Sequence, residues 1–364
     1  MQKLINPKMI GVARNLRGLS QKNLSDMANF TQGKLSKLEN GFLQCSQEDI
    51  EILAKCLHLP VQFFYEEMNL YGIGLSLMYR KKRRTSVKEM KHMEALFQLR
   101  RMQIAKLIQS IYFGATHFVH FDVTQDTPEE IAQKTRAMLN VPLGPIENIV
   151  HLIEEMGGII FTEHNPDSDI DAVSQWIHNT SMNGGGILAD TLVPPLFYYN
   201  SAKPMDRVRF SLAHELGHIL MHSSGDRVPS ETMEDEANRF AAEFLMPRAD
   251  IKPQLRDLTL KKLPPLKISW KVSMQALIYR AAELSCITQN QKQYMFQKFS
   301  SWGYRKREPE QYDPPMERPS LIREMIDIHT RDLEYTHSEI MHLLNCSEEV
   351  EFDELYGKRC LRAV

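Results

Sequence analysis

Two histidines and a glutamate stand in the order His-Glu-Leu-Gly-His at residues 214–218. On an α-helix, His214 and His218 lie on one face because they are four residues apart, so both imidazoles can reach one cation. Glu215 follows the first histidine directly, where a carboxylate can approach a water on that cation without binding the metal itself. The spacing therefore predicts a hydrolytic metal site. Apolar neighbours predict that its helix is buried: Phe210, Leu212, Ala213, Leu216, Ile219 and Leu220.

A hydrolytic zinc site also needs a third protein ligand and keeps one position open for water. The acidic segment at 230–247 offers these candidates: Glu231, Glu234, Asp235, Glu236 and Glu243. At about 100° per residue, the apolar side chains of this segment form a buried stripe. Glu234 lies closest to the stripe and is the predicted third ligand, whereas Asp235 and Glu243 lie farthest away. Asn238, one turn later, could orient a ligand by a hydrogen bond. Alternatively, Glu234 and Glu236 only stabilise a helix N-terminus.

The composition permits several folded domains and excludes some functions. Hydrophobic residues make up 43 % of the 364 residues, enough for roughly two or three cores. The net charge of −2 excludes a protein that coats nucleic acid through bulk charge, although a local basic patch remains open. No stretch approaches the roughly 20 apolar residues of a membrane span. The five cysteines are scattered. We therefore expect a cytoplasmic protein with reduced thiols and no membrane partner.

The N-terminal part, up to residue 65, has helical periodicity with short breaks. Ser20 is a candidate N-cap for one short helix, and Thr31 is a candidate N-cap for a second helix from Gln32 to Glu39. Two short helices joined by a tight turn predict a helix-turn-helix, whose second helix offers its N-terminal side chains to the major groove of DNA.

This part resembles the XRE/Cro/phage-repressor family in three runs: residues 14–28 with L-S-Q, S-K-L-E-N-G at 36–41, and L-A-K-C-L-H-L-P-V-Q-F-F at 53–64. The resemblance implies that Gln21 touches a phosphate. It also implies that residues of the second helix face bases or backbone, namely Gln32, Gly33, Lys34 and Lys37. The predicted DNA-binding residues are Gln21, Thr31, Gln32, Gly33, Lys34 and Lys37. It also implies an internal ion pair between Arg14 and Glu39. Alternatively, this bundle is a dimerisation module that does not bind DNA.

The metal-site region resembles the ImmA/IrrE-type metallopeptidases. The runs that carry the resemblance are A-H-E-L-G-H-I-L-M-H at 213–222, E-x-E-A-N-R-F-A-A-E-F-L-M-P at 234–247, G-G-I-I-F at 157–161, D-A-V-S-Q-W at 171–176 and P-P-L-F-Y-Y-N at 194–200. The resemblance implies a gluzincin-like fold with a small sheet beside two metal-bearing helices. It also implies Zn²⁺ held by His214, His218 and Glu234, with Glu215 moving a proton from water to the leaving amine.

The remaining predictions around this site concern the substrate. A peptide could lie extended along the strand edge at 196–199 by strand addition. His222, Tyr198 and Tyr199 are candidates for stabilising a developing oxyanion, although packing or hydrogen bonding is the favoured role for each.

The chain between and after these two regions is mostly helical in pattern. A basic run at 79–84 opens a helical pattern through about residue 111 that also carries Arg100, Arg101 and Lys106. Such a helix could contact the DNA backbone or could be a solvated helix packed on the next domain. Later in the chain, residues 270–284 form an amphipathic helix with a candidate cap at Ser269, and a last helical pair spans about 319–356.

Together these patterns predict an α+β, mostly helical protein with four parts. They are an XRE-type helix-turn-helix DNA-binding domain at 1–68, a basic helical connector at 69–125, an ImmA/IrrE-type metallopeptidase domain at 126–250 and a helical C-terminal region at 251–364.

The predicted function is a DNA-binding transcriptional regulator with a zinc-dependent endopeptidase domain. Its expected partners are a double-stranded DNA operator and a protein substrate such as a repressor or an antitoxin, and a palindromic operator would favour a homodimer. One alternative is an XRE-family transcription factor whose metal domain is a non-proteolytic sensor or interaction module. A weaker alternative is a toxin-neutralising interaction protein. A sensor should tolerate Glu215→Gln, whereas a peptidase should not.

Overall fold

The computed structural model describes residues 4–67, 85–114, 116–177, 193–223, 230–347 and 352 of the chain. The chain divides into two compact units. The first unit comprises residues 1–114, 179–196 and 320–364, and the second comprises 115–178 and 197–319. No helix in the described part of the chain is both long enough and apolar enough to cross a membrane.

The first unit begins with four short helices. These are α1 (Pro7–Leu16), α2 (Gln21–Ala28), α3 (Gln32–Glu39) and α4 (Gln47–Leu57), followed by a 3₁₀ turn (Val61–Tyr65) and the long helix α5 (Val87–Ile108). The side chains of Ser20 and Thr31 accept hydrogen bonds from backbone N–H groups in the first turns of α2 and α3. Between these helices Asn29 adopts a left-handed conformation with φ 55°. The two predicted caps and the predicted helix from Gln32 to Glu39 are confirmed.

The second unit contains eight helices and three strands among the described residues. They are α6 (Pro128–Met138), α7 (Ile149–Glu155), β1 (Ile159–Glu163), β2 (Ala172–Gln175), β3 (Leu196–Asn200), α8 (Met205–His222), α9 (Glu231–Leu245), α10 (Arg248–Leu255), α11 (Leu263–Trp270), α12 (Met274–Glu283) and α13 (Gln289–Ser301). Two further helices, α14 (Leu321–Arg331) and α15 (His337–Leu343), follow in the first unit.

Helix α5 does not have the solvated basic face that the sequence suggested. Arg100 and Arg101 are 2 % and 1 % exposed, and Arg100 donates a hydrogen bond to Gln103. Most apolar residues of α5 are also buried, because α1 packs on one part of it and α14 on another, whereas Val87 in its first turn is exposed. Arg100 and Arg101 are therefore neither solvated nor exposed to a DNA backbone, although the helix is packed against its neighbours, as one of the two interpretations expected. The basic run at 79–84 lies outside the described residues.

The three strands form one sheet in the order β1-β3-β2. The strand Leu196–Asn200 is therefore the central strand, with a neighbour on each side. The prediction that a peptide pairs with the edge at 196–199 is wrong, because a central strand has no unpaired edge to offer. Its side chains are all buried in the core of the second unit.

Helices α8 and α9 pack closely because α8 carries a glycine at the contact. A Cβ at Gly217 would lie 3.0 Å from Cδ1 and 3.2 Å from Cγ of Phe240 on α9. The Phe240 ring therefore rests directly on the backbone of α8, which any larger residue would prevent. This close approach brings the first turn of α9 to the histidines of α8.

Buried ion pairs connect the later helices to α8 and α9. Arg280 on α12 pairs with Glu243 of α9, and Arg209 of α8 pairs with Glu317. Lys267 on α11 is fully buried among three carboxylates, those of Asp206, Glu308 and Asp313. Glu243 is thus buried although its helical phase placed it far from the apolar stripe, because α12 covers that side of α9. One hydrophobic core extends from Phe118 to Phe299.

The predicted amphipathic helix at 270–284 corresponds to α12, which begins later than predicted. Trp270 ends α11, and Lys271 takes a left-handed conformation with φ 54°. α12 then begins at Met274, and its N-cap is Ser273 rather than Ser269. The left-handed residue breaks the helix, which the apolar periodicity alone did not indicate.

Candidate functional site

The predicted metal ligands converge in the second unit. Nε2 of His218 lies 3.0 Å from Nε2 of His214, and the two histidines come from successive turns of α8. Glu234, in the first turn of α9, places Oε1 at 3.2 Å from Nε2 of His218 and Oε2 at 3.6 Å from Nε2 of His214. These residues form a group that could hold a metal ion.

The spacing of these four atoms, two imidazole nitrogens and the two oxygens of Glu234, fits a zinc ion. With Zn–N and Zn–O distances of about 2.0–2.1 Å and tetrahedral angles, neighbouring ligand atoms stand about 3.3–3.4 Å apart. The observed separations of 3.0, 3.2 and 3.6 Å lie around that value. Two imidazoles and one carboxylate are a donor set typical of hydrolytic zinc sites, and three protein ligands leave a fourth position for water or substrate.

The ionisation of the site suits a cation. Burial lowers the pKa of His214, so its imidazole favours the neutral form in which it can bind a metal. Burial alone would raise the pKa of Glu234, but hydrogen bonds from His214 and His218 outweigh that effect and hold the pKa far below its ordinary value. Neutral imidazole and ionised carboxylate are the ligand forms.

Both histidines are oriented through their second ring nitrogens. Nδ1 of His214 lies 3.0 Å from Oδ1 of Asn238, which leaves Nε2 directed at the centre. Nδ1 of His218 lies 3.1 Å from Nδ1 of His222, and Nε2 of His222 lies 2.8 Å from Oε2 of Glu236. Such contacts fix the tautomer and the ring plane of a ligating histidine.

The sequence predicted the role of Asn238 but missed the connected pair of His222 and Glu236. A usable signal was present, since His214, His218 and His222 are each four residues apart and therefore share one face of α8. His222 has no exposed side-chain area. It serves as a hydrogen-bonding residue, as the favoured interpretation held, rather than as a group that faces a substrate.

Glu215 is held from the sheet side. Its side chain is fully buried, and Oε2 accepts hydrogen bonds from the backbone N–H of Ser174 at 2.9 Å and from Oγ of Ser174 at 2.7 Å. Ser174 lies in β2, at the end of the sheet order, which packs against α8. Two donors on one oxygen fix the plane of the carboxylate beside the metal ligands. The sequence analysis noted the run at 171–176 but assigned Ser174 no role.

The two tyrosines of β3 are structural. The hydroxyl of Tyr199 donates to the backbone oxygen of Glu317 at 2.5 Å, and burial raises the pKa of Tyr199 above its ordinary value. Tyr198 is 1 % exposed and packs against Phe161. These contacts agree with the packing role that the sequence favoured.

The predicted DNA-binding residues occupy three kinds of environment in the first unit. Gln32, Gly33 and Lys37 are exposed on α3. Thr31 is exposed and uses its hydroxyl as the N-cap. Gln21 and Lys34 make contacts within the bundle. Nε2 of Gln21 donates to Oε2 of Glu39 at 2.7 Å, and Nζ of Lys34 lies 2.6 Å from Oδ1 of Asp49.

The ion pair that the repressor resemblance implied is present. Arg14 donates through Nε to Oε1 of Glu39 at 2.6 Å and through Nη2 to Oε2 at 3.1 Å. This two-pronged contact joins α1 to the end of α3. It is a fold-stabilising feature and does not itself touch DNA.

The three-stranded sheet packs on α8, and α8 and α9 together supply two histidines and a glutamate, an arrangement in keeping with a metallopeptidase-type domain. Residues 154–282 match the Peptidase_M78 family, described as an IrrE N-terminal-like domain. The matched region contains all of the converging residues and extends beyond residue 250 into α12, in keeping with the single core of the second unit. No curated protein matches the chain.

Proposed function

We propose that this protein is a DNA-binding transcriptional regulator whose second unit is a zinc-dependent endopeptidase acting on a protein partner. The observation that carries the peptidase part is the convergence of His214, His218 and Glu234, with Glu215 fixed beside them by Ser174. A non-catalytic metal site has no need of a fourth, non-ligating carboxylate anchored at that position. The family match at 154–282 supports the same class of domain.

The chemistry divides between the metal and the chain. When bound, Zn²⁺ lowers the pKa of water at the site and polarises the scissile carbonyl. The carboxylate of Glu215 accepts a proton from the attacking water and donates it to the nitrogen of the leaving amine. Ser174 keeps this carboxylate in one orientation by its two hydrogen bonds. Asn238 and the pair His222–Glu236 keep the two imidazoles aimed at the metal.

The DNA-binding part of the proposal rests on the N-terminal helices. α2 and α3 are joined by a short turn, and the first turn of α3 leaves Gln32 and Gly33 exposed. Exposed polar groups at the start of a second helix are the groups that read a major groove in helix-turn-helix proteins. A duplex operator is the proposed partner of this unit, and the proposed substrate is a repressor or an antitoxin whose cleavage changes transcription.

The proposal is tested with Glu215→Gln. Purified wild-type protein is incubated with zinc and a peptide library, and cleavage products are identified by mass spectrometry. We expect Glu215→Gln to retain zinc and to lose about a thousandfold in cleavage rate, because it removes the proton acceptor. Ser174→Ala should lose about tenfold and Ser174→Thr should recover part of that loss, since the hydroxyl is one of two donors to Glu215.

The opposite result defines the rival function. If wild type and Glu215→Gln both bind zinc, neither cleaves any peptide and both support the same transcriptional response in cells, the metal domain is a sensor or interaction module. A chelator distinguishes adventitious proteolysis from activity at this site, because only the latter requires the metal.

A further inference from the structure

The second unit has a large cleft beside the metal centre. Its volume is about 1060 Å³, and it lies between α8, α9, α12 and the segment that leads to Glu308. Pockets for small ligands usually measure about 300–1,000 Å³. The cleft is at the upper limit of that range and open, so it suits a segment of polypeptide better than a compact metabolite.

One wall of this cleft adjoins a metal ligand. Ser211 and Asn238 line the cleft, and Oδ1 of Asn238 lies 3.0 Å from Nδ1 of His214. Asn238 therefore belongs both to the cleft wall and to the hydrogen-bond partners of a candidate metal ligand. A chain bound in the cleft would therefore lie next to the proposed site of hydrolysis.

More cationic than carboxylate side chains line the cleft, although the whole chain is slightly acidic. Eight cationic and five carboxylate side chains line it, whereas the net charge of the chain is −2. Several of the cations are neutralised by carboxylates. The neutralised pairs are Arg207–Asp171, Arg239–Glu129, Arg280–Glu243 and Arg307–Asp313.

Four of the lining cations have no carboxylate partner among the described residues: Lys203, Lys292, Arg305 and Lys306. Lys203 donates to the backbone oxygen of Ser168, so the other three remain for binding an anion. Nζ of Lys292 lies 4.4 Å from the ring centre of Tyr279, and Cζ of Arg305 lies 4.5 Å from that of Phe296. A ring holds a cation in place without cancelling its charge, so these groups can still bind an anion. Tyr279 is 51 % exposed and adds an apolar surface beside them.

We propose that this cleft binds an acidic segment of the substrate protein, with carboxylates anchored on Lys292, Arg305 and Lys306. The inference rests on the proposed peptidase function and names the chemistry of its substrate. A peptide fits better than a nucleic acid, because Asp235, which has no ion-pair partner among the described residues, also lines the cleft and would repel a continuous phosphate backbone. A peptide, by contrast, can carry its carboxylates only where Lys292, Arg305 and Lys306 lie and remain uncharged elsewhere in the cleft.

The experiment measures peptide binding by the full-length protein through fluorescence anisotropy, in the presence of a chelator so that no cleavage occurs. The probe is a Glu-Ala repeat peptide with an uncharged fluorophore, and its twin has Gln at each Glu. A triple variant, Lys292→Glu, Arg305→Glu and Lys306→Glu, is compared with a matched control, Arg256→Glu, Lys261→Glu and Lys262→Glu. The control residues are exposed in the same unit and outside the cleft.

We expect the acidic peptide to bind at least about tenfold more tightly than its Gln twin, and the triple variant to lose about tenfold while the control loses less than about twofold. Added salt should weaken the binding of the acidic peptide only. Equal binding of the two peptides, or equal losses in the two triple variants, overturns the inference. Preferential binding of a single-stranded oligonucleotide over the acidic peptide also overturns it in favour of nucleic acid.

Cleavage with zinc separates the two proposals. If the acidic peptide binds at the three cations but no zinc-loaded protein cleaves it or any library peptide, the peptidase function fails and the anionic peptide site stands. If library peptides are cleaved at rates that do not depend on Lys292, Arg305 and Lys306, the peptidase function stands and the inferred substrate class fails.

Discussion

The helices around the metal centre and the helices of the N-terminal bundle hold their charged side chains differently. Around the metal centre, Arg209 and Lys267 have no exposed side-chain area, and Glu317 and Glu308 are 7 % and 4 % exposed. In the bundle, Arg14 and Glu39 are mostly buried at 12 % and 8 % exposed, but Lys34 on the surface of α3 is 35 % exposed. A buried ion that loses its partner is strongly destabilised, whereas a half-exposed ion can turn to water or to another anion. The ion pairs around the candidate metal site are thus fixed by burial. Ion pairs on the surface of the bundle can instead exchange their partners for water or another anion.

The largest expected effect tests that difference in stability. Lys267→Met leaves the buried carboxylates of Asp206 and Glu308 without their shared cation and should destabilise the second unit by about 3–5 kcal/mol. The matched variant Lys34→Met should cost the first unit less than about 1 kcal/mol, because its ion pair is partly solvated. Urea unfolding, followed by circular dichroism, gives both values. Equal losses would contradict the comparison.

The pH dependence supplies a second check on Lys267. Burial acts to lower the pKa of Lys267, but the hydrogen bonds that it donates to its carboxylate partners outweigh burial and raise the pKa from 10.5 to about 12. Since the folded-state pKa is raised, this contribution is fully present below pH 10.5 and is lost as the pH rises through about 12. The difference between wild type and Lys267→Met should therefore stay constant up to pH 10.5 and shrink above it.

The next effect concerns the metal. Glu234→Ala removes one of three ligands and should lower zinc affinity more than about a hundredfold, since two imidazoles alone hold zinc weakly. Zinc per chain after dialysis and competition with a chromophoric chelator give the affinity. Thermal melting without metal checks that the variant is folded. Unchanged zinc content in the folded variant would remove Glu234 from the ligand set.

Some parts of this structure could be predicted from sequence, and others could not. His214 and His218 lie on one helix, so their relation depends only on helical geometry, and Glu234 followed from the phase of a second helix. Ser174, by contrast, reaches Glu215 from a strand 41 residues earlier. Glu243 and Arg101 are buried by neighbouring helices that no local pattern describes. Local periodicity predicts the face of an element, whereas tertiary packing decides what covers it.

A smaller effect tests how the ligand histidines are oriented. Glu236→Gln keeps the size of the side chain but weakens its hydrogen bond to His222, and through it the orientation of His218. Changes to such supporting contacts lower metal affinity by about 10–100-fold, and we expect about tenfold here because Glu236 acts through a second histidine. Asp235→Asn, an exposed neighbour on α9, is the control and should leave zinc affinity unchanged. Equal affinities in both variants would show that the orientation of His218 does not depend on Glu236.

The smallest effect tests the bundle side of the comparison. Lys37 is exposed on α3, whereas Lys34 pairs with Asp49 and lies 4.0 Å from the ring centre of Phe30. If both lysines approach DNA phosphates, Lys37→Gln should weaken binding to duplex DNA about fivefold and lower the salt slope by about one. Lys34→Gln should weaken it about twofold, because Lys34 must first leave Asp49. Anisotropy titrations at several salt concentrations measure both.

A loss with Lys34→Gln as large as that with Lys37→Gln would mean that the ion pair of Lys34 with Asp49 opens at almost no cost in free energy. Lys34 on α3 would then exchange its carboxylate partner for a DNA phosphate more easily than the observed ion pair suggests. No loss with either variant would favour a bundle that does not bind DNA.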